Sequence, residues 1–554
     1  MTPAQQTSNT DNPTEPHMAT ALELIAQVQG DAPALICGDV TQSWRAYENR
    51  AARICQALWD AGLTTDSKAG LYLHNGNEYL EAQFGIFKAR ACPINVNYRY
   101  VEDELVYLLN NADCEALFYQ AAYADRVNNI RDRLPNITLY VCVDDASGKP
   151  NPGDISFEQL INSHPPAAAV ERCGDDLYML YTGGTTGMPK GVMYSQRQTT
   201  LSLMAGWTLL GGLEAPPTEM AEAASLSAAR YQSGMQTRSL VTCPLMHGTG
   251  MWVGAMIPQL MGGVVITSPA DGFDPGGLWR IAQDQKATFM VIVGDAFAKP
   301  LLDALDTQLA SGSPYDLSHL QAMMSSGVMW SSEVKQGLLR HHPMALVDAM
   351  GSSEGSMGSS VTTRESAPQT AKFELGNDVK VFTEDDEEVV AGSGTMGMIG
   401  TPGNVPLGYY KDPEKSAVTF REINGVRYSF PGDYATIEAD GSITLLGRGS
   451  KCINTAGEKV FPEEVEEAVK RNDCITDCLV VGLPDERFGQ RIVAVASREA
   501  GANISETQLI DATRAHLAGY KLPRQVVFTD TVQRAPNGKA DYKWAEQTAK
   551  RLAL

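Results

Sequence analysis

Positive charge is scarce in this 554-residue chain: 44 Lys+Arg stand against 66 Asp+Glu, a formal net charge of −22 with a pI near 4.8. So negative a chain has no general electrostatic attraction to phosphate backbones or anionic leaflets, which argues against nucleic-acid and membrane-surface partners. Any anionic small ligand must be held by local donors against the global field. Long apolar runs are also missing: no stretch reaches the roughly 18–20 consecutive apolar residues that cross a bilayer. The first eighteen residues (MTPAQQTSNTDNPTEPHM) lack the basic start and apolar run of a signal peptide and read as a disordered tail. Cysteine is present but unpatterned. Ten are scattered along the chain, and the closest pair, Cys474 and Cys478, has no second Cys/His pair nearby to complete a zinc site. Buried, reduced thiols and a cytoplasmic location follow as expectations. No internal repeat is found.

What is present is the composition of an ordinary soluble globular protein, 43% hydrophobic and 20% charged. The length calls for two or more domains, since single cores stop growing at roughly 250–300 residues. From Thr20 to about Gln120, helical patterns such as 21–29 and 50–62 alternate with short apolar strands at 69–74 and 115–119. The rhythm returns at 262–268, 288–294 and 345–351. This βα alternation predicts an α/β fold with a largely parallel sheet. Residues 211–236, polar and small, read as an inserted loop with a short helix. The acidic run 384–388 reads as a solvated turn between strands. Ala439-Asp440-Gly441 signals a hairpin, and a Gly/Ser-rich join follows at 447–450. After it come a helix at 462–471, strands at 478–484 and 491–497, and a helix at 505–518. A domain boundary is placed at Arg448: a tail over 1–18, a large domain over 19–447 and a small α+β domain over 448–554.

The strongest local signal is the stretch from Leu180 to Val192. An apolar strand runs into a loop carrying the hydroxyls of Thr182, Thr185 and Thr186, the glycines Gly183, Gly184, Gly187 and Gly191, and Lys190. Closely spaced glycines let backbone N–H groups converge, while hydroxyls and a lysine add donors, a chemistry suited to phosphate oxygens. It is not a Walker A loop, because no G-x-x-x-x-G-K-[ST] can be read. A second glycine-rich match, Gly392-Ser-Gly394-Thr-Met-Gly397, satisfies G-x-G-x-x-G. Gly400, Pro402, Gly403 and Pro406 follow it, so no helix can start there to receive a pyrophosphate. It reads as a turn-rich β region.

The 182–191 loop resembles the phosphate-binding signature of the adenylate-forming (ANL) superfamily: acyl-CoA synthetases, peptide-synthetase adenylation domains and luciferases. Further segments follow in that family's order: Pro244-Leu-Met-His247-Gly, Ser325-Ser326-Gly327, Asp348-Ala-Met350-Gly351-Ser-Ser353-Glu354, Gly408-Tyr409-Tyr410, Gly432-Asp433, Gly447-Arg448 and Pro536-Asn-Gly538-Lys539. The likeness spans roughly residues 30–545. The wording TGGTTGMPKGV with INTAGEKVFPEEVE is most similar to bacterial fatty-acyl-CoA and steroid-side-chain CoA ligases.

The resemblance implies a large domain of stacked α/β subdomains with a β-barrel-like part and a small mobile C-terminal domain. It implies an enzyme that uses ATP, Mg²⁺ and CoA. A carboxylic acid (fatty, branched or polycyclic) would become acyl-AMP and then a thioester, releasing pyrophosphate and AMP. It implies Glu354 as the Mg²⁺ ligand or organiser, with Thr182 and Lys539 as further catalytic groups. Lys539 would neutralise charge between the carboxylate and the α-phosphate. Nucleotide contacts would come from residues 182–187, Lys190, Ser326, Gly327, Asp348, Met350, Gly351 and Ser353. Ser353 stands where the family usually has Thr, and Met350 where it usually has Tyr. Asp433 and Arg448 would meet the ribose or phosphates, and Ser450 would be the hinge. Gly457 would line the pantetheine path, while Asn454 stands where relatives often carry Lys. The acyl pocket would include His247, Gly250, Gly254, Val328 and Gly355, its glycines leaving room for a bulky acid. A homodimer is compatible with this reading. Two rivals stand beside it, an adenylating enzyme that loads a carrier-protein thiol and a catalytically silent nucleotide-binding protein.

Overall fold

The computed structural model describes residues 15–182, 189–269, 272–328, 330–366, 372–455, 458–485, 489–517, 519–535 and 538–552. The chain forms two compact units. The first holds Met1–Tyr181, Gly191–Asp274 and Asp284–Met290; the second holds Thr182–Lys190, Pro275–Gln283 and Val291–Leu554.

In the first unit, helices α1 (Met18–Val28), α2 (Trp44–Asp60), α3 (Asn77–Lys88) and α4 (Met220–Gln232) pack on two sheets. Its strands are β1 (Pro33–Cys37), β2 (Val40–Ser43), β3 (Lys68–Tyr72), β4 (Cys92–Asn95), β5 (Cys114–Gln120), β6 (Leu139–Val143), β7 (Leu177–Thr182), β8 (Lys190–Ser195), β9 (Arg238–Val241) and β10 (Val264–Thr267). Strands β4, β3, β5 and β6 pair in that order, all parallel. Strands β9, β10 and β1 are parallel too, and β2 closes antiparallel on β1. The expected βα alternation is therefore present. Apolar residues on both sides of β3 and β5 are buried, as a parallel sheet covered on both faces requires.

His17 and Met18, expected in the tail, are packed against the protein. Both are buried, and the His17 ring accepts a hydrogen bond from the Ala19 N–H at 3.1 Å, capping α1. Burial lowers the His17 pKa. Helix α1 carries a buried Glu23 that Arg172 meets with two contacts of 2.8 Å and that Lys88 also touches, so the helix is tied down by charge as well as by Leu22 and Ile25. Residues 1–14 of that expected tail lie outside the described residues. The region 211–236 also differs from a loop with a short helix. Its helix α4 runs thirteen residues and buries Met220 together with Ala223, Ala224 and Ser227, whose small side chains allow close packing.

The long segment of the second unit, from Val291, holds α5 (Gly294–Ala310), β11 (Ala322–Ser326), α6 (Ser332–His341), β12 (Ala345–Ser352), β13 (Gly355–Thr362), β14 (Lys372–Leu375), β15 (Lys380–Phe382), β16 (Met396–Gly400), β17 (Asp433–Ile437) and β18 (Ile443–Arg448). Strands β11 and β12 are parallel; β12 and β13 form an antiparallel hairpin. The G-x-G-x-x-G match falls in a turn leading into β16, with no helix after it, and Glu384–Glu387 are exposed beyond β15. Both agree with the sequence reading, as does the hairpin of β17 and β18 around residues 439–441.

Past Arg448 the unit continues into α7 (Pro462–Lys470), β19 (Ile475–Asp485), β20 (Gly489–Arg498), α8 (Glu506–Thr513), β21 (Gln525–Thr529) and α9 (Tyr542–Leu552). Alternation along β19 and β20 sorts the side chains onto two faces. Cys478, Val480, Ile492, Ala494 and Ala496 pack with Val465, Val469 and Leu509 of α7 and α8. Leu479, Val481, Val493 and Val495 pack with Ala545 and Ala549 of α9. Pro462 at the first turn of α7 and the Ser505–Gln508 capping box of α8 set where the two helices begin.

Candidate active site

Parallel pairing of β11 with β12 puts Ser326, the end of β11, beside Ala349, and β12 runs on three residues beyond it. Carboxyl ends of parallel strands are where α/β sheets bind ligands. Gly327 follows with φ +88°, a left-handed turn that suits glycine. Strand β12 ends at Ser352, which pairs with Gly355, so Ser353 and Glu354 are the turn of the hairpin. Asp348 and Met350, lower on β12, are already engaged by the protein. The Asp348 carboxylate meets the buried Lys335 ammonium at 3.1 Å, and burial raises its pKa to about 6. Met350 packs among Met357, Phe373 and Ile399. Their expected adenine contacts thus compete with a buried ion pair and a hydrophobic cluster.

Glu354 is 9% exposed and held in place: the Tyr409 hydroxyl donates to its Oε1 at 2.8 Å. The Lys190 ammonium stands 5.5 Å from the centre of the same Tyr409 ring and pairs with Asp412 at 2.6 Å. Hydrogen bonding from Lys190 lowers the Asp412 pKa. Asp412 also caps the short helix Pro413–Thr419 by accepting from the Lys415 N–H at 3.0 Å. Lys190, after the glycine-rich stretch, and the acidic turn of β12 therefore share one aromatic residue. Among the described residues no three His, Cys, Asp or Glu groups converge as a metal site. A hard cation would rest on the Glu354 carboxylate together with phosphate oxygens, which is how Mg²⁺ is usually held.

Asp433 and Arg448 are register partners across β17 and β18, so the two expected ribose contacts start from facing backbone positions. Ser450 lies in the 3₁₀ turn Gly449–Lys451 directly after β18. Lys539 is exposed on a tight loop in which the Ala535 N–H donates to the Lys539 carbonyl at 2.8 Å. Thr182 ends β7, half-buried, and Val328 and Gly355 are half-buried. Gly183, Gly184, Thr185, Thr186, Gly187 and Gly457 lie outside the described residues, as do the side chains of Arg448, Ser450 and Asn454.

His247 stands in the first unit, half-buried before a wide π-helix, Thr249–Met256. Two asparagines that sequence reasoning missed hold this segment. Asn95 donates to the carbonyls of Tyr181 at 2.8 Å and Met246 at 2.7 Å, and accepts from the Tyr181 N–H at 2.7 Å. Asn75 donates to the Cys243 carbonyl at 3.0 Å and accepts from the Leu245 N–H at 2.8 Å. Two glycines of the expected acyl pocket are closely backed by protein. A methyl group on Gly250 would lie 2.3 Å from the Pro244 carbonyl oxygen, and one on Gly254 would lie 3.0 Å from both Val241 methyls. These glycines let the π-helix lie close on its neighbours. Tyr409 and Asp412 were also missed as site residues. The Gly408-Tyr409-Tyr410 motif and an Asp preceding Pro at a helix start were their available signals.

Comparison with known proteins gives the family. The model of the AMP-binding enzyme family matches residues 22–410, and that of the AMP-binding enzyme C-terminal domain matches residues 464–539. The chain is 41% identical over 524 residues to the 3-oxocholest-4-en-26-oate–CoA ligase of Rhodococcus rhodochrous, with 92% of each covered. It is 40% identical over 538 residues to a medium/long-chain-fatty-acid–CoA/3-oxocholest-4-en-26-oate–CoA ligase of Mycobacterium marinum, covering 94% of this chain and 95% of that one. The medium-chain acyl-CoA ligase Mig of Mycobacterium avium is 38% identical over 546 residues, covering 95% and 96%. In fold, the chain matches the anthranilate CoA ligase AuaEII in complex with anthranoyl-AMP at a TM-score of 0.82 and 21% identity, covering 99% and 100% of the two chains. It matches ATP-bound MatB from Rhodopseudomonas palustris at 0.80 and 22%, covering 96% and 100%. With the glycine-rich loop, the acidic hairpin turn and the C-terminal lysine loop all in family order, the chain belongs to the AMP-binding enzyme family.

Proposed function

We propose that the chain is an AMP-forming acyl-CoA ligase for medium- or long-chain fatty acids or a steroid side-chain acid. The observation that carries it is the linked set at the end of β12: Glu354 fixed by Tyr409, with Lys190 over the same ring. Relatives at about 40% identity across nearly the whole chain supply the acid class.

The chemistry sets the demands. A carboxylate attacks the α-phosphorus of ATP while pyrophosphate leaves, so two anions must meet and fixed donors must carry the charge. Lys190 binds departing phosphate oxygens, exchanging its contact with Asp412 for them. Glu354 is oriented by Tyr409 to hold Mg²⁺, which when bound would offset phosphate charge. Lys539 lies between the acid carboxylate and the α-phosphate, while Asp433 accepts from the ribose hydroxyls, a task suited to two carboxylate oxygens. Thiol attack on the acyl-adenylate then needs room that the adenylation geometry occupies. The small domain from Arg448 onward rotates at Ser450 to provide it, bringing Gly457 to the pantetheine path. The reaction is placed in the cytoplasm, in keeping with ten unbonded cysteines.

The test is pyrophosphate release with MgATP across short, medium, long, aromatic and steroid carboxylic acids, read with loss of free CoA thiol. Release with medium-, long-chain or steroid acids, and thiol loss whenever CoA is present, is the expected result. Pyrophosphate release that never consumes CoA would replace the ligase with an enzyme loading a carrier-protein thiol.

A further inference from the structure

The loop that carries Lys539 is braced from one side by an ion pair that the reaction chemistry leaves unused. Arg534 donates from Nε and Nη2 to the two carboxylate oxygens of Asp477, at 2.6 and 2.7 Å, a bidentate fork. A further donor, Nη1, reaches the Gly538 carbonyl, the peptide immediately before Lys539, at 3.4 Å. The loop is closed on itself by the Gly538 N–H donating to the Ala535 carbonyl at 2.8 Å and by a bridge between Arg534 and Ala540. Both members of the pair are largely buried, with side chains about one-fifth exposed. Asp477 is fixed at the start of β19, where the Cys478 N–H donates to it at 2.8 Å.

The same two points of the chain rest on the first turns of α5. A methyl on Gly538 would lie 2.9 Å from the Ala296 methyl, so the loop sits directly on that helix. Lys299, three residues on and on the same face, donates to the Thr476 carbonyl at 3.3 Å, next to Asp477. Helix α5 begins where its Gly294 N–H donates to the Ser325 hydroxyl on β11, at 2.8 Å, one residue before Ser326. A continuous set of contacts therefore runs from β11 through α5 to Thr476 and Gly538, with Arg534 and Asp477 locking the last two together.

We infer that Arg534 and Asp477 are positioning residues for adenylation: their ion pair ties the lysine loop, seated on Ala296, to the Thr476 segment held by Lys299, and so presents Lys539 to the α-phosphate. This rests on the reading of Lys539 as the adenylating lysine. The pair touches no reacting atom. Its effect should fall on the half-reaction that uses the lysine and not on the thioester step, which proceeds with the loop withdrawn.

The full-length chain is assayed for ATP–pyrophosphate exchange with decanoate, and separately for thioester formation from supplied decanoyl-AMP and CoA. Arg534→Ala and Asp477→Ala should each lower exchange by on the order of 10- to 100-fold, the scale of misplacing a reacting group by about 1 Å. The loss should appear in kcat, with KM for ATP and the thioester step both within about twofold of the parent. Arg534→Lys should recover part of the exchange by restoring one charged contact, and the swapped pair Arg534→Asp with Asp477→Arg should recover more than either single change. If Asp477→Ala lowers the melting temperature, Asp477→Asn keeps the shape and the acceptor while removing the charge, and it should show the same split. Exchange unchanged in both alanine variants, or equal loss of both half-reactions in folded protein, would overturn the inference. Lys539→Ala separates the two levels: exchange that survives it removes the lysine reading and the inference with it. Exchange that dies with Lys539→Ala but persists in both pair variants removes the inference alone.

Discussion

Tyr409 shows how a residue without chemistry of its own can set a site. Its ring lies under Lys190 and its hydroxyl fixes Glu354, so one side chain relates Lys190 to the acidic turn of β12. A hydrogen bond to a charged group contributes about 1.5–3 kcal/mol. If half or more of that is expressed in the transition state, Tyr409→Phe, which keeps the ring, should slow adenylation about tenfold and leave the fold intact. Acid-dependent pyrophosphate release, with circular dichroism as the folding control, checks this; an unchanged rate would mean that the orientation of Glu354 does not matter. The residue scale is also where sequence says least about surroundings. Gly250 and Gly254 suggested an open pocket because glycine has no side chain, but sequence cannot say what occupies the vacated volume. Here it is the Pro244 carbonyl and the Val241 methyls. Asp348 and Met350 were expected at adenine, and sequence could not show that their partners Lys335 and Phe373 come from elsewhere in the chain.

Among the elements, α7 carries the most consequential buried charge. Glu466 is 6% exposed and accepts from the Val480 N–H at 2.9 Å. Burial, with the nearby Glu463 charge adding to it, pushes its pKa from an ordinary 4.5 up to about 8. Between those values the folded chain holds a proton that the unfolded chain has released. Stability from this group is thus fully present below about pH 4.5 and is lost as pH rises through about 8. Glu466→Gln keeps an acceptor for Val480 and removes the titration. Its melting temperature should fall less than the parent's between pH 5 and pH 9, and parallel curves would show that Glu466 is not the group responsible. Elements were far more legible in the sequence than such partners. The period of two along 478–484 and 491–497 marked both strands, and their two faces bury against different helices. The thirteen residues of α4 escaped because Ala and Ser there carry little apolar periodicity, although they pack well as small side chains. His17 escaped for a related reason. A Pro/Thr-rich approach hid a cap whose value depends on α1 being anchored by Arg172.

At the scale of the whole molecule, the net charge of −22 acquires an address. Residues 448–554 hold 16 Lys+Arg and 15 Asp+Glu, so the acidity belongs entirely to the preceding 447 residues. The near-neutral C-terminal part carries Arg448 and Lys539, the two cations that the proposed mechanism sets against anionic ligands. Motif order across the chain made the family readable from sequence because each motif answers a chemical demand of adenylation, whereas acid class has no such fixed spelling. The central claim is that the acid's own oxygen attacks the α-phosphorus and leaves with AMP. The direct measurement is mass spectrometry of AMP formed from decanoate labelled with ¹⁸O at both carboxylate oxygens, in the presence of MgATP and CoA. Acyl-adenylate chemistry predicts one ¹⁸O in each AMP and one retained in the thioester carbonyl. Unlabelled AMP, or label found in inorganic phosphate with ADP as the nucleotide product, would contradict it.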